Sequence, residues 1–343
     1  MKVALNLEAA GWLGGRYYLE NLALALLEHT SGVELVTVGP PGTGPEGIPH
    51  TERTPDDADV VFPNWNLREP TAAAQMHWIP DLQHRALPQY FGRLARLRRD
   101  RGYRRLARRA SVVVVSSEVA RADAARAYPS IAPKLRVLHF TSAAPPSPRA
   151  SPETLQRYGL PERFVLLPNQ FWAHKNHATA FAAAPQLSVP LVCTGAVEDH
   201  RRPDHVARLL VDLEQSDSSA RVHILGVVPR DDYLSFVSTA AAVLQPSLFE
   251  GWSSVVEDAR AYGRPIALSD IPVHREQNPP LSYYFEPLDA QALAGAVAAA
   301  AASEPLPAAD AAAAQTDAVR AFALGFIELA EEAAATRHLG KAQ

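Results

Sequence analysis

The sequence has very little cysteine and no long apolar segment. Cys193 is the sole cysteine among 343 residues and lies in a short apolar run, which excludes a disulfide framework and predicts a core position. No run of about 18 apolar residues occurs, which excludes a membrane-spanning helix. The first residues have a strand-like pattern without the apolar segment of a signal peptide. We therefore expect a cytoplasmic protein.

The chain also lacks a strong charge of either sign. Its formal net charge is −4, with 20% charged and 47% hydrophobic residues, so a globular protein is indicated and a general nucleic-acid binder is not.

Basic residues nevertheless concentrate between residues 93 and 109, which hold nine arginines and one acid, Asp100. Leu94, Leu97 and Leu106 give this segment a thin apolar stripe. It either contacts the inner face of a membrane or an anionic acceptor, or it is an ordinary solvated helix face, and the thin stripe favours the solvated face.

Short apolar runs alternate with helical patterns along the whole chain. This alternation predicts an α/β protein, and its length is enough for two domains. Residues 142–152 contain four prolines in eleven positions, which is typical of an extended linker. We predict a first domain over 1–142, a linker over 143–152 and a second domain over 153–315.

The most informative stretch runs from residue 249 to 277. A buried strand over 241–244 is followed by the turn Glu250–Gly251 and then by a helix that ends at Gly263. Ser254 and Glu257 have the spacing of a capping box at the start of this helix. Because free N–H groups at helix N-termini bind anions, the stretch predicts an anion-binding turn with Glu250 beside it.

This stretch resembles the signature of the retaining, nucleotide-sugar-dependent glycosyltransferases of family 4. In that family a Glu–Gly turn is followed eight residues later by a second acid, here Asp258. The resemblance implies that Glu250 contacts hydroxyls of the donor sugar and Asp258 holds the ribose, while Glu257 caps the helix. The other implied donor-binding residues of this turn are Gly251, Trp252, Ser253 and Ser254. The alternative is that the three acids are solvated first-turn residues.

A second resemblance lies in the segment from Pro168 to His177. Lys175 matches the family lysine that binds the donor pyrophosphate. The family arginine six residues earlier is replaced by Asn169, with Gln170 next to it, so phosphate affinity would depend more on Lys175 and backbone N–H groups. By the same resemblance, Val228 is a candidate for nucleobase recognition. Two histidines three residues apart, His174 and His177, lack a third ligand, and we predict no metal site.

The first half carries weaker signals. Gly14 and Gly15 belong to a glycine-rich turn, over 11–15, that approaches the donor phosphates in the family; a plain turn is the alternative. Asn64 and Trp65 suit a sugar acceptor through amide hydrogen bonds and ring stacking, or else anchor local packing. Asp81 matches a family aspartate near the reacting sugar, but Pro80 replaces the histidine before it. His77 and His84 are the candidate substitutes and stand among the predicted acceptor-binding residues; the alternative is that they are satisfied structural groups.

The resemblance covers nearly the whole chain and implies two Rossmann-like domains facing a cleft, the GT-B architecture, with a terminal helix over 316–343 that packs on the first domain. It implies retaining transfer of a sugar to a carbohydrate, lipid or small-molecule acceptor, with Lys175, Glu250 and Asp81 as catalytic residues. The nucleotide-diphosphate sugar is a co-substrate, and no other cofactor and no metal is implied. The alternatives are a non-catalytic nucleotide-sugar-binding partner protein, or an epimerase or phosphorylase on the same fold.

Overall fold

The computed structural model describes residues 1–7, 13–42, 45–64, 71–143 and 149–341. The chain divides into two compact units. The first comprises Met1–Pro88, Gly92–Ala144 and Thr316–Gln343, and the second comprises Gln89–Phe91 and Pro145–Gln315. The division after residue 144 falls inside the segment 143–152 that the proline content marks as a linker.

The first unit contains a seven-stranded parallel sheet with the strand order β3-β2-β1-β4-β5-β6-β7. The strands are β1 Lys2–Asn6, β2 Glu34–Val38, β3 His50–Thr51, β4 Val60–Phe62, β5 Ala74–Ile79, β6 Val112–Val115 and β7 Leu135–Val137. All four valines of β6 are buried, as expected for a parallel strand covered on both faces.

The second unit contains a six-stranded parallel sheet with the order β10-β9-β8-β11-β12-β13. Its strands are β8 Val165–Leu167, β9 Leu191–Cys193, β10 Val222–Ile224, β11 Ala242–Gln245, β12 Ile266–Ser269 and β13 Ser282–Phe285. Cys193 is fully buried in β9, as the sequence predicts. Two parallel sheets flanked by helices confirm the α/β prediction.

Helices connect the strands in both units. They are α1 Leu13–His29, α2 Gln83–Ala86, α3 Arg93–Arg109, α4 Glu118–Ala127, α5 Pro152–Arg157, α6 His177–Ala183, α7 Pro203–Glu214, α8 Arg230–Thr239, α9 Ser254–Ala261, α10 Pro272–Gln277, α11 Ala290–Ala302 and α12 Ala308–Lys341. The helix α9 ends as predicted, with Gly263 at a φ of 57° just beyond it.

Two helix starts differ from the prediction. The glycine-rich segment over 11–15 is predicted to be a turn, but α1 begins at Leu13, so Gly14 and Gly15 lie in its first turn. The last helix was expected to begin at Thr316, but α12 begins at Ala308. Alanine has the highest helix propensity, and the alanines that follow Pro307 extend the helix back to that proline.

An aromatic cluster ties the later part of α12 to the first unit. Tyr18 of α1 stacks on Trp78 of β5 at a centroid distance of 4.1 Å, and Phe322 lies 5.8 Å from the same Tyr18 ring. Phe326, one turn further along α12, lies 5.2 Å from Phe62 of β4. Phe322 and Phe326 are 2% and 0% exposed, so this part of α12 belongs to the core of the first unit.

Truncation of Phe326 tests this role of α12. We expect Phe326→Ala to lower the free energy of unfolding of the first unit by about 3–5 kcal/mol, because it leaves a cavity beside Phe62. The matched control is Leu324→Ala on the same helix, where the side chain is 42% exposed and a change within about 0.5 kcal/mol is expected. Urea unfolding of both variants is the measurement, and equal losses in the two would contradict the assignment.

Candidate active site

The candidate active site lies at the carboxyl ends of β8 and β11 in the second unit. These strands are neighbours, with Val165 paired to Ala242. Strand order runs outward from β8 through β9 to β10, and in the opposite direction from β11 through β12 to β13. When the chain leaves two adjacent parallel strands in opposite directions, a crevice forms at the carboxyl ends of these strands. Open α/β sheets bind their ligands in this crevice.

An ion pair between Lys175 and Glu250 occupies this edge. Lys175 ends a short 3₁₀ turn, Ala173–Lys175, after β8, and Glu250 follows β11. The Lys175 Nζ donates to Glu250 Oε1 at 2.6 Å, and the side chains are only 15% and 10% exposed. Two predicted catalytic residues from segments 75 positions apart therefore meet, and the pair is shielded from bulk water.

The backbone beside Lys175 is fixed by Asn176. This residue has a φ of 58°, a left-handed conformation that asparagine tolerates better than most residues. Its Nδ2 donates to the carbonyl oxygens of Pro246 at 3.1 Å and of Pro287 at 2.6 Å. The contact to Pro246 joins the loop after β8 to the end of β11 and so positions Lys175 against Glu250.

A buried amide network lies beneath the ion pair. Gln245, the last residue of β11, is 0% exposed, and its Nε2 donates to Glu250 Oε1 at 3.0 Å and to Ser253 Oγ at 2.7 Å. Its Oε1 accepts from Asn169 Nδ2 at 2.5 Å. Lys175 and Gln245 thus both contact Oε1 of Glu250, and within the described part of the chain Oε2 accepts no hydrogen bond.

The start of α9 differs from the predicted capping box. Ser253, not Ser254, is the N-cap, and no side chain of the helix caps it. Instead Gln277 of α10 accepts a hydrogen bond from Ser253 N at 3.0 Å and donates to Ser253 O at 3.1 Å and Glu257 Oε1 at 2.8 Å. The prediction that Glu257 caps the helix is therefore wrong, because the helix begins one residue earlier than the box requires.

The second acid, Asp258, is 2% exposed and engaged within the protein. Arg230, the first residue of α8, donates to both of its oxygens at 3.2 and 3.1 Å, and the Tyr233 hydroxyl donates to Oδ2 at 2.6 Å. Glu257 contacts Arg260 and Gln277 instead. The two acids therefore have different partners, and ribose binding by Asp258 stays a prediction.

The remaining predicted donor-binding residues lie around the same edge. Gly251 and Trp252 are buried in the turn after Glu250, while Gln170 and Val228 are half-buried. The loop after β9 approaches closely at Gly195, whose φ is 122° and where a Cβ atom would lie 2.5 Å from the carbonyl oxygen of Asn169. Only glycine fits there, so the segment of Asn169 and Gln170 is held against this loop.

The predicted acceptor-binding histidines lie inside the first unit. His77, in β5, is 1% exposed, and burial lowers its pKa to about 3. His84, in α2, is fully buried, and its Nε2 lies 2.8 Å from Asp100 Oδ1. Asp81, predicted as catalytic, accepts a hydrogen bond from Gln83 N at 2.9 Å at the start of α2.

Of the other first-unit candidates, Asn64 is 7% exposed and its backbone N–H donates to Met76 O at 2.9 Å. Trp65 lies outside the described residues. Acceptor binding by these groups stays a prediction.

The histidines near Lys175 are packed into the core. His177 stacks on Phe171 at 4.1 Å and is 1% exposed, and burial lowers its pKa to about 3. Burial also lowers the pKa of His174 well below its usual value, with a further contribution from the Lys175 charge. Among the described residues, no three His, Cys, Asp or Glu side chains form a set that could hold a metal ion.

Three residues of this site were missed by sequence reasoning: Gln245, Gln277 and Arg230. Gln245 offered a signal, since it is a polar residue at the end of an otherwise apolar strand. Gln277 and Arg230 contact partners 24 and 28 positions away, and no local spacing indicates such pairs.

Comparison with known proteins gives a family match for part of the chain. Residues 153–317 match the family described as Glycosyl transferases group 1. No curated protein has a sequence that matches the chain.

Three solved structures with a similar fold cover nearly the whole chain. Sucrose-phosphate synthase from Thermosynechococcus elongatus has a TM-score of 0.63 at 18% identity, covering 99% of this chain and 94% of its own. HepE from Anabaena, in complex with UDP and glucose, has a TM-score of 0.67 at 16% identity, covering 96% and 98%. WaaG, a glycosyltransferase involved in lipopolysaccharide biosynthesis, has a TM-score of 0.59 at 16% identity, covering 97% and 98%.

The two parallel sheets and these structural matches show that the protein has the two-Rossmann-like GT-B fold. Residues 153–317, which form most of its second unit, match the group 1 glycosyl transferase family.

Proposed function

We propose that this protein is a retaining glycosyltransferase that moves a sugar from a nucleotide-diphosphate sugar to an acceptor hydroxyl. The observation that carries the proposal is the Lys175–Glu250 pair at the carboxyl ends of β8 and β11, in which Glu250 keeps one oxygen open. A cation for phosphate and a carboxylate for sugar hydroxyls then stand side by side, which is what a sugar diphosphate requires.

The leaving diphosphate would be stabilised by Lys175 and by the N-terminus of α9. Because Ser253 N–H is already bonded to Gln277, the next N–H groups, beginning with Ser254, are the ones directed at a phosphate. In this proposal the lysine and the helix N-terminus take the place of a metal ion.

The chemistry of retention follows from the diphosphate itself. The bond between the sugar C1 and the diphosphate oxygen breaks, and the acceptor oxygen bonds to C1 on the same face. The acceptor proton passes to an oxygen of the leaving diphosphate, so no histidine is needed at Pro80. Glu250 Oε2 would accept hydrogen bonds from sugar hydroxyls and hold the ring during this step.

Uridine nucleotides are the first candidates for the donor. HepE has been solved in complex with UDP, with UDP and glucose, and with UDP-glucose. At 16% identity this likeness concerns the fold, so we use it to choose the first probe.

Titration calorimetry with UDP, GDP, ADP and dTDP, without metal and with EDTA present, tests the donor site. We expect one nucleotide to bind and Lys175→Ala to weaken it about 10- to 100-fold, because a charge-assisted hydrogen bond contributes about 1.5–3 kcal/mol. The control is Arg208→Ala, which removes the same charge from a 70% exposed position of the second unit. Binding of none of the four would contradict the proposal, and binding without turnover over a broad acceptor panel would favour the non-catalytic partner protein.

We also propose that α3 places the first unit on an anionic membrane surface. Leu94 and Leu97 are 59% and 53% exposed, and Arg98, Arg101 and Arg105 share their face of the helix at helical spacing. Within the described residues these three arginines have no carboxylate partner. Exposed leucines gain nothing from an anionic glycan but are buried by lipid, so the pair favours a membrane over a polyanionic acceptor.

The opposite face of α3 is fixed to the protein through its one acid. Asp100 accepts hydrogen bonds from His84 at 2.8 Å, from Arg85 at 2.9 and 2.8 Å and from the Tyr128 hydroxyl at 2.6 Å. Burial raises the pKa of Asp100, but the bonds from Arg85, Tyr128 and His84 outweigh it and lower the pKa to about 2. The acid is thus neutralised locally, and the other face of the helix carries only positive charge. No helix among the described residues is long and apolar enough to cross a bilayer.

Sedimentation with vesicles tests this surface. We expect the protein to bind strongly anionic vesicles of phosphatidylcholine with about 30 mol% phosphatidylglycerol. The triple variant Arg98/Arg101/Arg105→Gln should partition onto these vesicles roughly 100-fold more weakly, because each arginine near the surface contributes about 1 kcal/mol. The variant Leu94/Leu97→Ser should partition onto the vesicles at least roughly tenfold more weakly, because it removes the apolar surface that lipid would bury.

The matched controls are Arg121/Arg126/Arg208→Gln and Val211/Leu288→Ser, all exposed. Equal binding to neutral vesicles, or no effect of the leucine change, would contradict a lipid surface.

A further inference from the structure

Gln245 is a fully buried amide that contacts Glu250. It closes β11 with no exposure, and every polar hydrogen of its amide is used. One N–H goes to Glu250 Oε1 at 3.0 Å and the other to Ser253 Oγ at 2.7 Å. Its oxygen accepts from Asn169 Nδ2 at 2.5 Å. A buried polar side chain this fully satisfied has one orientation.

Glu250 and Asn169 together set that orientation. The side-chain amide of Gln245 can be rotated by 180°, which exchanges the positions of its oxygen and its nitrogen. Its hydrogen-bond partners decide which of the two orientations is present. Because the carboxylate of Glu250 can only accept, the nitrogen of Gln245 must face it, and the oxygen of Gln245 then faces Asn169, which donates from Nδ2. The Asn169–Gln245 pair therefore gives Glu250 Oε1 a donor that does not depend on Lys175.

We propose that Gln245 is a positioning residue that fixes the Glu250 carboxylate, so that Oε2 stays directed at the sugar of the donor. This inference rests on the proposed transferase function. Lys175 cannot supply the same constraint alone, because a lysine on a flexible stem turns toward a diphosphate when one binds. Gln245 is rigid, buried and without charge, so it remains on Oε1 while Lys175 engages phosphate.

By this proposal Gln245 acts on recognition of the donor sugar and not on recognition of the nucleoside diphosphate. Loss of Gln245 should weaken recognition of the sugar and leave recognition of the nucleoside diphosphate intact. Gln277 has a different role, because it bonds the backbone of Ser253 and the Glu257 carboxylate at the N-terminus of α9, where the phosphate is expected, whereas Gln245 contacts only the Ser253 hydroxyl there. The chain therefore offers a matched control, another buried glutamine whose loss should weaken the binding of both UDP and UDP-glucose.

Calorimetric titration of the 343-residue chain with UDP and with UDP-glucose tests this. Gln245→Met keeps the volume of the side chain and removes its hydrogen bonds. We expect its Kd for UDP to stay within about twofold of the wild type and its Kd for UDP-glucose to rise about tenfold. Gln277→Met should raise both values by similar factors. Retained UDP binding shows that the Gln245 variant is folded.

A pH profile distinguishes positioning from packing. Gln245→Glu has the same shape but places an oxygen opposite Glu250 Oε1, where two carboxylates repel. As pH falls and the introduced carboxyl gains a proton, it can donate to Glu250 again. We therefore expect the loss of UDP-glucose affinity in Gln245→Glu to shrink about tenfold between pH 8 and pH 5.5, relative to the wild type.

The outcomes are separable. If the wild type binds UDP-glucose but Gln245→Met changes both ligands equally, Gln245 is a packing residue and the inference is overturned, while the proposed function stands. A flat pH profile for Gln245→Glu would overturn it as well. If the wild type binds neither ligand, the proposed use of a uridine donor fails, and the inference fails with it.

Discussion

The order of strands in the second sheet is the constraint on which the candidate site depends. β8 and β11 are neighbours although they are separated by two other strands in the chain, and their connections leave toward opposite sides. This arrangement brings Lys175 within 2.6 Å of Glu250. No local spacing in the sequence relates the two residues, so the strand order is what brings them into contact.

The ion pair contributes little to stability by itself. Two charges at 15% and 10% exposure lose much of their hydration, and their mutual attraction offsets that loss only when other hydrogen bonds assist. Gln245 gives such assistance to Glu250, and Asn169 in turn satisfies Gln245. A polar arrangement that is this buried and this fully bonded favours one geometry over its alternatives, which is what a site needs and what a purely apolar core does not provide.

Much of the fold and part of the site could be predicted from sequence. The apolar run over 241–244 located β11 within one residue, and the spacing of Glu250 and Asp258 together with Lys175 located the edge of the sheet that matters. The two-residue strand β3 carries no apolar run and was not predicted. The start of α9 could not be predicted, because Ser253 and Ser254 are equally good caps and the choice depends on Gln277, 24 residues away. The partners of Asp258 were missed for the same reason, since Arg230 lies on a different helix.

The replacement of the expected arginine by Asn169 changes the electrostatics of the site in a definite way. Lys175 is left as the cation on Glu250, so the pair carries no net charge until a ligand arrives. In the proposed function, a diphosphate would compete with Glu250 for the same ammonium group, and its binding would free the carboxylate from its counterion. A carboxylate released in this way is a stronger acceptor for sugar hydroxyls, provided that it does not rotate. Under the proposed function, phosphate binding and sugar binding are coupled through Lys175, and an uncharged partner on Glu250 such as Gln245 leaves this coupling intact.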